Sequence, residues 1–201
     1  VVRHLIADFI AHLGQHVVLA GSALAFALAI GLPAAGLCAD RGLPRVLVLG
    51  LAGGLRVVPS LAVLILALPL LGLGFAPALL ALVVLALPPV LINADLGLRG
   101  VPSATLEAAR GTGMTERQIG LRVRWPLALP VAAVGVRTAA VEVVASATLA
   151  AFIGAGGLGD YIVAGFAGGD LRELLLGALS VAALALAVDA ALGSLQRRLA
   201  V

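Results

Sequence analysis

Long apolar stretches separated by short polar ones dominate this chain, and their lengths predict membrane-spanning helices. Five such stretches stand out, at residues 17–39, 46–71, 76–98, 127–153 and 174–192. Each holds about the 20 residues that a helix needs to cross a hydrocarbon core of ~30 Å. Ahead of them, Leu5, Ile6, Phe9, Ile10 and Leu13 fall on one helical face, opposite Arg3, His4, Asp8 and His12. That pattern predicts an amphipathic helix over 1–13 lying at the membrane surface. Prolines punctuate the spans. Pro33 is expected to kink the first, Val58-Pro59-Ser60 lies inside the second, and Pro88-Pro89 is expected to interrupt the third. Asp40 to Arg45 reads as a polar turn, Gly72-Leu73-Gly74 as another, and Pro77 suits the first turn of a helix. There is no tandem repeat and no low-complexity linker, so one transmembrane domain is expected over 1–201.

Composition sharpens this. Charged residues make up 11 % and hydrophobic ones 62 %, whereas about a quarter of a soluble domain is charged. The expected fold class is therefore an all-α membrane protein with about five transmembrane helices. All 13 basic residues are arginine, and a phosphate-cradling Walker A loop requires a lysine, so this chain cannot supply one. The single cysteine, Cys38, excludes an internal disulfide and a cysteine metal cluster. His4, His12 and His16 could share a helical face, where an interfacial polar role is favoured over a metal site. Val1-Val2 lacks a basic leader region, and nothing there reads as a removable signal peptide.

The longest polar island runs from Glu107 to Pro126. Thr105 to Arg110 suits a short helix that Gly111 and Gly113 would end, because glycine accepts left-handed dihedrals. Thr115 and Gln118 form a Thr-x-x-Gln capping box that starts a second helix, expected to end or bend at Pro126. Helix, tight turn, helix is also the outline of a DNA-reading motif. A loop tethered to the membrane at both ends could not easily enter a major groove, so no nucleic-acid partner is expected.

Inside the spans, ionisable groups cost several kcal/mol unless they face protein or water, which makes each a functional candidate. Thr138, Glu142 and Ser146 share one face of the fourth span, and Arg137 lies beside them. They could line a path for solute or act as hydrogen-bonding glue between helices. Ser60 and Asn93, next to the proline breaks, carry the same two readings. Asp189 is expected to pair with Arg197 or reach the interface. Gly154 to Gly159 formally matches Gly-x-Gly-x-x-Gly but lacks the strand and acidic ribose ligand of a dinucleotide site, so a turn with close backbone packing is expected.

These residues carry a resemblance. Glu107-Ala108-Ala109, Gly113 and Val123-Arg124-Trp125-Pro126 resemble the cytoplasmic coupling loop of binding-protein-dependent ABC importer permeases, with Trp125 where that family has leucine. Val58-Pro59-Ser60-Leu61-Ala62, Asn93, Val136-Arg137-Thr138-Ala139, Ala147 to Phe152 and Ile153 to Asp160 resemble the osmoprotectant permeases, importers of glycine betaine, choline and carnitine. Arg56-Val57-Val58 and Glu142 depart from that pattern. The resemblance covers roughly residues 14 to 198. It implies a methionine-permease-like fold with a cytoplasmic coupling loop over 103–125, and coupling through Glu107, Ala108, Ala109, Gly113, Thr115 and Gln118. The translocation path would use Ser60, Asn93, Arg137, Thr138, Glu142, Ser146 and Thr148. No catalysis and no cofactor are expected in this chain; ATP and magnesium would belong to a dimer of cytoplasmic ATPases. Further implied partners are an extracytoplasmic solute-binding protein, a second permease copy or a sister permease, and membrane lipid. With the loop inside, the inner segments hold nine arginines (Arg41, Arg45, Arg99, Arg110, Arg117, Arg122, Arg124, Arg197, Arg198) and the outer ones only Arg3 and Arg172. That bias places the N-terminus outside and the C-terminus inside a bacterial inner membrane. Three rivals remain: a permease for another small solute such as methionine, an ATP-independent secondary transporter or channel, and a structural scaffold.

Overall fold

A computed structural model describes residues 2–199. Val1, Ala200 and Val201, the ends of the expected domain, lie outside the described residues. The described residues form helices and turns, with no strand among them. In chain order these are α1 (Val2–Cys38), α2 (Gly42–Leu55), α3 (Ser60–Leu71), α4 (Phe75–Arg99), α5 (Ser103–Gly111), α6 (Glu116–Ile119), α7 (Trp125–Ser146), α8 (Gly159–Gly168) and α9 (Leu171–Leu199). A π-helical turn, Gly120–Arg124, joins α6 to α7, and a 3-10 segment, Ala147–Ile153, extends α7.

α4 is the centre. It packs against α1, α2, α3 and α7, and α9 closes on α7 and α8. The core is built from small residues: Ala23, Ala27, Ala78, Ala86 and Ala139 are wholly buried. Lipid tails are as apolar as leucine, so helices in a bilayer gain by close backbone approach rather than by hiding bulk. Gly135 shows how close. A Cβ there would lie 2.3 Å from the Pro89 carbonyl oxygen and 2.6 Å from Asn93 Cβ. Large apolar side chains such as Leu66, Leu70 and Leu179 point outward instead, as lipid-facing residues should.

Five sequence expectations need correction. The amphipathic stretch over 1–13 is not a separate surface helix; it forms the first turns of the continuous α1. Its polar face packs on α8, where Tyr161 donates to an Asp8 carboxylate oxygen at 2.7 Å and His12 lies 3.4 Å from Asp160. His16 is not interfacial either, being 1 % exposed with Nε2 2.9 Å from the Val144 carbonyl. The second stretch is two helices meeting at 97° rather than one. Pro59 disfavours helical dihedrals at Val58, and Gly53-Gly54 weakens the turns before it.

The third stretch is not interrupted. α4 runs through Pro88-Pro89 because both rings are fully buried among neighbouring helices, which hold the backbone that the prolines weaken. Pro33 likewise sits within α1. Finally, Pro126 does not end the helix that the Thr115 capping box starts. The π turn before it shifts the register, with the Trp125 amide donating to the Gly120 carbonyl five residues back, and makes room for the proline ring.

Candidate functional site

Two regions concentrate the polar groups: the α5–α6 hairpin and a membrane-depth cavity on α7. The hairpin is braced from within. Thr115 accepts from the Gln118 amide at 3.4 Å while the Gln118 side chain accepts from the Thr115 amide at 2.8 Å, the reciprocal capping box expected from the sequence. Thr112 Oγ1 donates to the Ala109 carbonyl at 2.8 Å, closing the end of α5. Gly113 then turns the chain at φ +84°, a left-handed value that glycine adopts without strain. Arg110 crosses the turn to hold Glu116 with two hydrogen bonds, at 2.7 and 3.2 Å. Glu107 and Ala108 point outward from α5, while Ala109 and Ile119 are buried at its root. The outcome is a stiff projection with an exposed Glu-Ala face.

Arg124, in the π turn, ties this projection to the body. Its Nε donates to the Leu98 carbonyl at 3.0 Å near the end of α4, and an Nη meets the Asp40 carboxylate in the α1–α2 turn. The Arg124 guanidinium holds the Asp40 carboxyl below the usual carboxylate range by that hydrogen bond, with charge attraction adding to it. Between these groups lies a cavity of about 260 Å³ floored by Trp125 and Gly36.

In the second region, Arg137 donates through two nitrogens to both oxygens of Asp189 on α9, each at 2.6 Å. Asp189 thus bridges α7 and α9 rather than pairing with Arg197, a contact the sequence reading missed because the partners lie 52 positions apart. Val134, Arg137, Thr138, Val141, Glu142 and Asp189 line an open cavity of about 350 Å³. Thr138 Oγ1 is turned back onto the Val134 carbonyl at 3.0 Å. Glu142 makes no hydrogen bond among the described residues. The cavity therefore unites Arg137, Thr138 and Glu142.

The other candidates sit elsewhere. Asn93 donates to the Pro89 carbonyl at 2.8 Å inside the α4–α7 contact. Ser60 starts α3, and Ser146 is half-buried at the end of α7. Thr148 donates to the Ala145 carbonyl at 2.8 Å, and its own carbonyl lies against Gly159. The sequence reading passed over one further pair. Asp95 is buried on α4 and takes both hydrogen bonds of Arg45 on α2, at 2.7 Å each. An aspartate inside an apolar span demands a cation, and that demand was the available signal.

Residues 27–201 match the family described as binding-protein-dependent transport system inner membrane component. The carnitine transport permease protein OpuCB of Listeria monocytogenes is 43 % identical over 187 residues, 92 % of this chain and 85 % of that protein. The choline transport system permease protein OpuBB of Bacillus subtilis is 40 % identical, covering 76 % and 70 %. The osmoprotectant import permease protein OsmW of Salmonella typhimurium is 39 % identical, covering 90 % and 87 %. Among solved structures, an inward-facing form of the MetNI methionine ABC transporter superposes with a TM-score of 0.83 over 94 % of this chain and 95 % of that one, at 22 % identity. At that identity the likeness speaks for the fold.

Proposed function

Because the chain belongs to the inner membrane components of binding-protein-dependent transport systems, we propose that it forms the translocation path of an ATP-driven importer for a small osmoprotectant such as glycine betaine, choline or carnitine. The observation that carries the reading is the α5–α6 hairpin, cross-braced and presenting Glu107 and Ala108 outward. A stiff projection of this kind transmits displacement, and its small side chains let a partner surface approach closely. That partner is a dimer of cytoplasmic ATPases, which bind ATP and magnesium and move the hairpin through Glu107, Ala108, Ala109, Gly113, Thr115 and Gln118. The solute class rests on the names borne by relatives at 39–43 % identity.

Quaternary ammonium groups are recognised by aromatic cages, and aromatics are 3 % of this chain. Primary recognition therefore belongs to an extracytoplasmic binding protein. This chain, paired with a second copy or a sister permease, supplies the gated path. Arg137, Thr138 and Glu142 on α7 line that path, and Ser146 at the end of α7, Thr148 in the 3-10 segment, Ser60 at the start of α3 and Asn93 on α4 are its further candidates. The hairpin faces the cytoplasm, the N-terminus the outside and the C-terminus the inside.

Gly113→Asp tests the reading, since any L-residue at φ +84° is strained and the added charge sits on the turn itself. Uptake of labelled osmoprotectant and retention of the ATPase on purification should both fall to background, with membrane insertion unchanged. Full uptake by the variant would refute the coupling role. Uptake by the wild type with ATP depleted and the proton gradient kept would favour a secondary transporter.

A further inference from the structure

The hairpin's side chains hydrogen-bond almost wholly to one another: Arg110 to Glu116, Thr112 to Ala109, Thr115 to Gln118. Among the described residues, one side chain of the whole segment from Ser103 to Arg124 reaches out of it by hydrogen bonding, and that is Arg124. Its guanidinium spans two acceptors on different elements, the Leu98 carbonyl at the inner end of α4 and the Asp40 carboxylate between α1 and α2. The side chain is 15 % exposed, so its planar fork is fixed by its surroundings. Guanidinium geometry suits this role, because its donors diverge in one rigid plane whereas an ammonium offers a single point of charge.

The setting matters as much as the bonds. The carbonyl of Leu98 is one of the last four of α4, which find no partner within the helix. Behind Arg124 the 260 Å³ cavity separates the hairpin from Gly36 and Leu98, so apolar packing there is incomplete. Trp125 fills only the rear, its Cζ2 lying 3.1 Å from where a Gly36 Cβ would stand. A stiff projection attached across a gap delivers its motion through whatever crosses the gap. Besides the covalent chain and that indole, Arg124 is the described side chain that crosses it by hydrogen bonding.

We propose that Arg124 is the positioning residue that passes displacement of the hairpin to α1 and α4, so that its loss uncouples ATP hydrolysis from import without detaching the ATPase. The proposal rests on the reading of the hairpin as the ATPase-contacting element. It goes beyond that reading by assigning transmission to a residue on the far side of the hairpin from its exposed Glu107 face.

The test uses the whole importer, this chain with its partner ATPases and binding protein, in proteoliposomes. Arg124→Gln keeps the ATPase on the complex and lowers solute imported per ATP hydrolysed by roughly tenfold or more, within the usual span of coupling between sites. Arg124→Lys, which reaches one acceptor at a time, falls between that variant and the wild type. Reversal of the pair, Asp40→Arg with Arg124→Asp, regains import per ATP relative to Arg124→Asp alone, a recovery that simple misfolding would not give. Unchanged import per ATP in Arg124→Gln, loss of the ATPase from that complex, or no recovery on reversal overturns the proposal. Failure of the wild-type chain to hold an ATPase would instead remove the reading beneath it, and the two failures are distinct.

Discussion

Gly135 and Gly14 differ in what a methyl group would meet. Around Gly14 there is nothing within 4 Å, whereas a Cβ at Gly135 would strike the Pro89 carbonyl oxygen and Asn93 Cβ, backbone and side chain of the central helix. Neither neighbour can swing aside, since both belong to α4 where it is packed by α7. Gly135→Ala should therefore cost about 1–3 kcal/mol through forced separation of α4 and α7. Gly14→Ala should be neutral or gain up to ~1 kcal/mol from helix propensity. Thermal unfolding of the purified protein in detergent, followed by circular dichroism, checks the pair: the midpoint drops for the first and not for the second. At the same scale, Arg137 and Asp189 explain each other. Either alone at membrane depth would be an unpaired charge, and together they form a closed bidentate contact that leaves Glu142 as the cavity's acid without a hydrogen bond among the described residues.

Elements differ in how far local sequence determines them. The hairpin's glycine turn and capping box were legible to the residue, because such signals act over three or four positions and need no tertiary help. α4 was misread for the opposite reason. Proline penalties are local, but the packing that overrides them at Pro88 and Pro89 comes from helices distant in sequence. α8 went unpredicted, being too short to span a membrane and bounded by glycines that read as loop; Gly154, Gly156, Gly157 and Gly169 all take positive φ around it. The link between the α1–α2 turn and the hairpin was invisible, since Asp40 and Arg124 lie 84 positions apart.

That link has a pH dependence of defined sign. The Asp40 carboxyl is held below its ordinary value, so the contact's contribution is complete above the unfolded value of about 3.9 and fades only as pH falls through the depressed folded value. The tie therefore persists at neutral and mildly acid pH. In Arg124→Gln the carboxyl should titrate close to the ordinary value, and carbon-detected NMR of labelled aspartate follows the shift directly. Equal titration midpoints in the two proteins would show that the contact does not form.

For the whole molecule, the question is how many times the chain crosses. α2 and α3 are each too short to span, and their 97° bend admits either one broken crossing or a re-entrant loop. Contacts at their two ends bear on the choice. The turn before α2 holds Asp40 against Arg124 beside the hairpin, while the turn after α3 places the Gly74 amide 2.9 Å from the Ile153 carbonyl at the far end of the α7 segment. The pair thus begins at one end of the bundle and finishes at the other, as a broken crossing would. Early α1 meets that same far end, with Gln15 accepting from the Gly157 amide at 3.0 Å. The prediction is therefore five crossings, with the termini on opposite sides. With nine arginines near the hairpin's end against two at the other, the hairpin end should be cytoplasmic. In a Cys38→Ser background, Arg172→Cys should react with a membrane-impermeant maleimide in intact cells. Arg117→Cys and Arg197→Cys should react only after the cells are opened. All three residues are exposed, so a silent site would reflect sidedness rather than burial. Labelling of Arg117→Cys from outside would put the hairpin beyond reach of any cytoplasmic ATPase and end the importer reading. Labelling of Arg172→Cys and Arg197→Cys from the same side would show that the bent pair turns back within the bilayer.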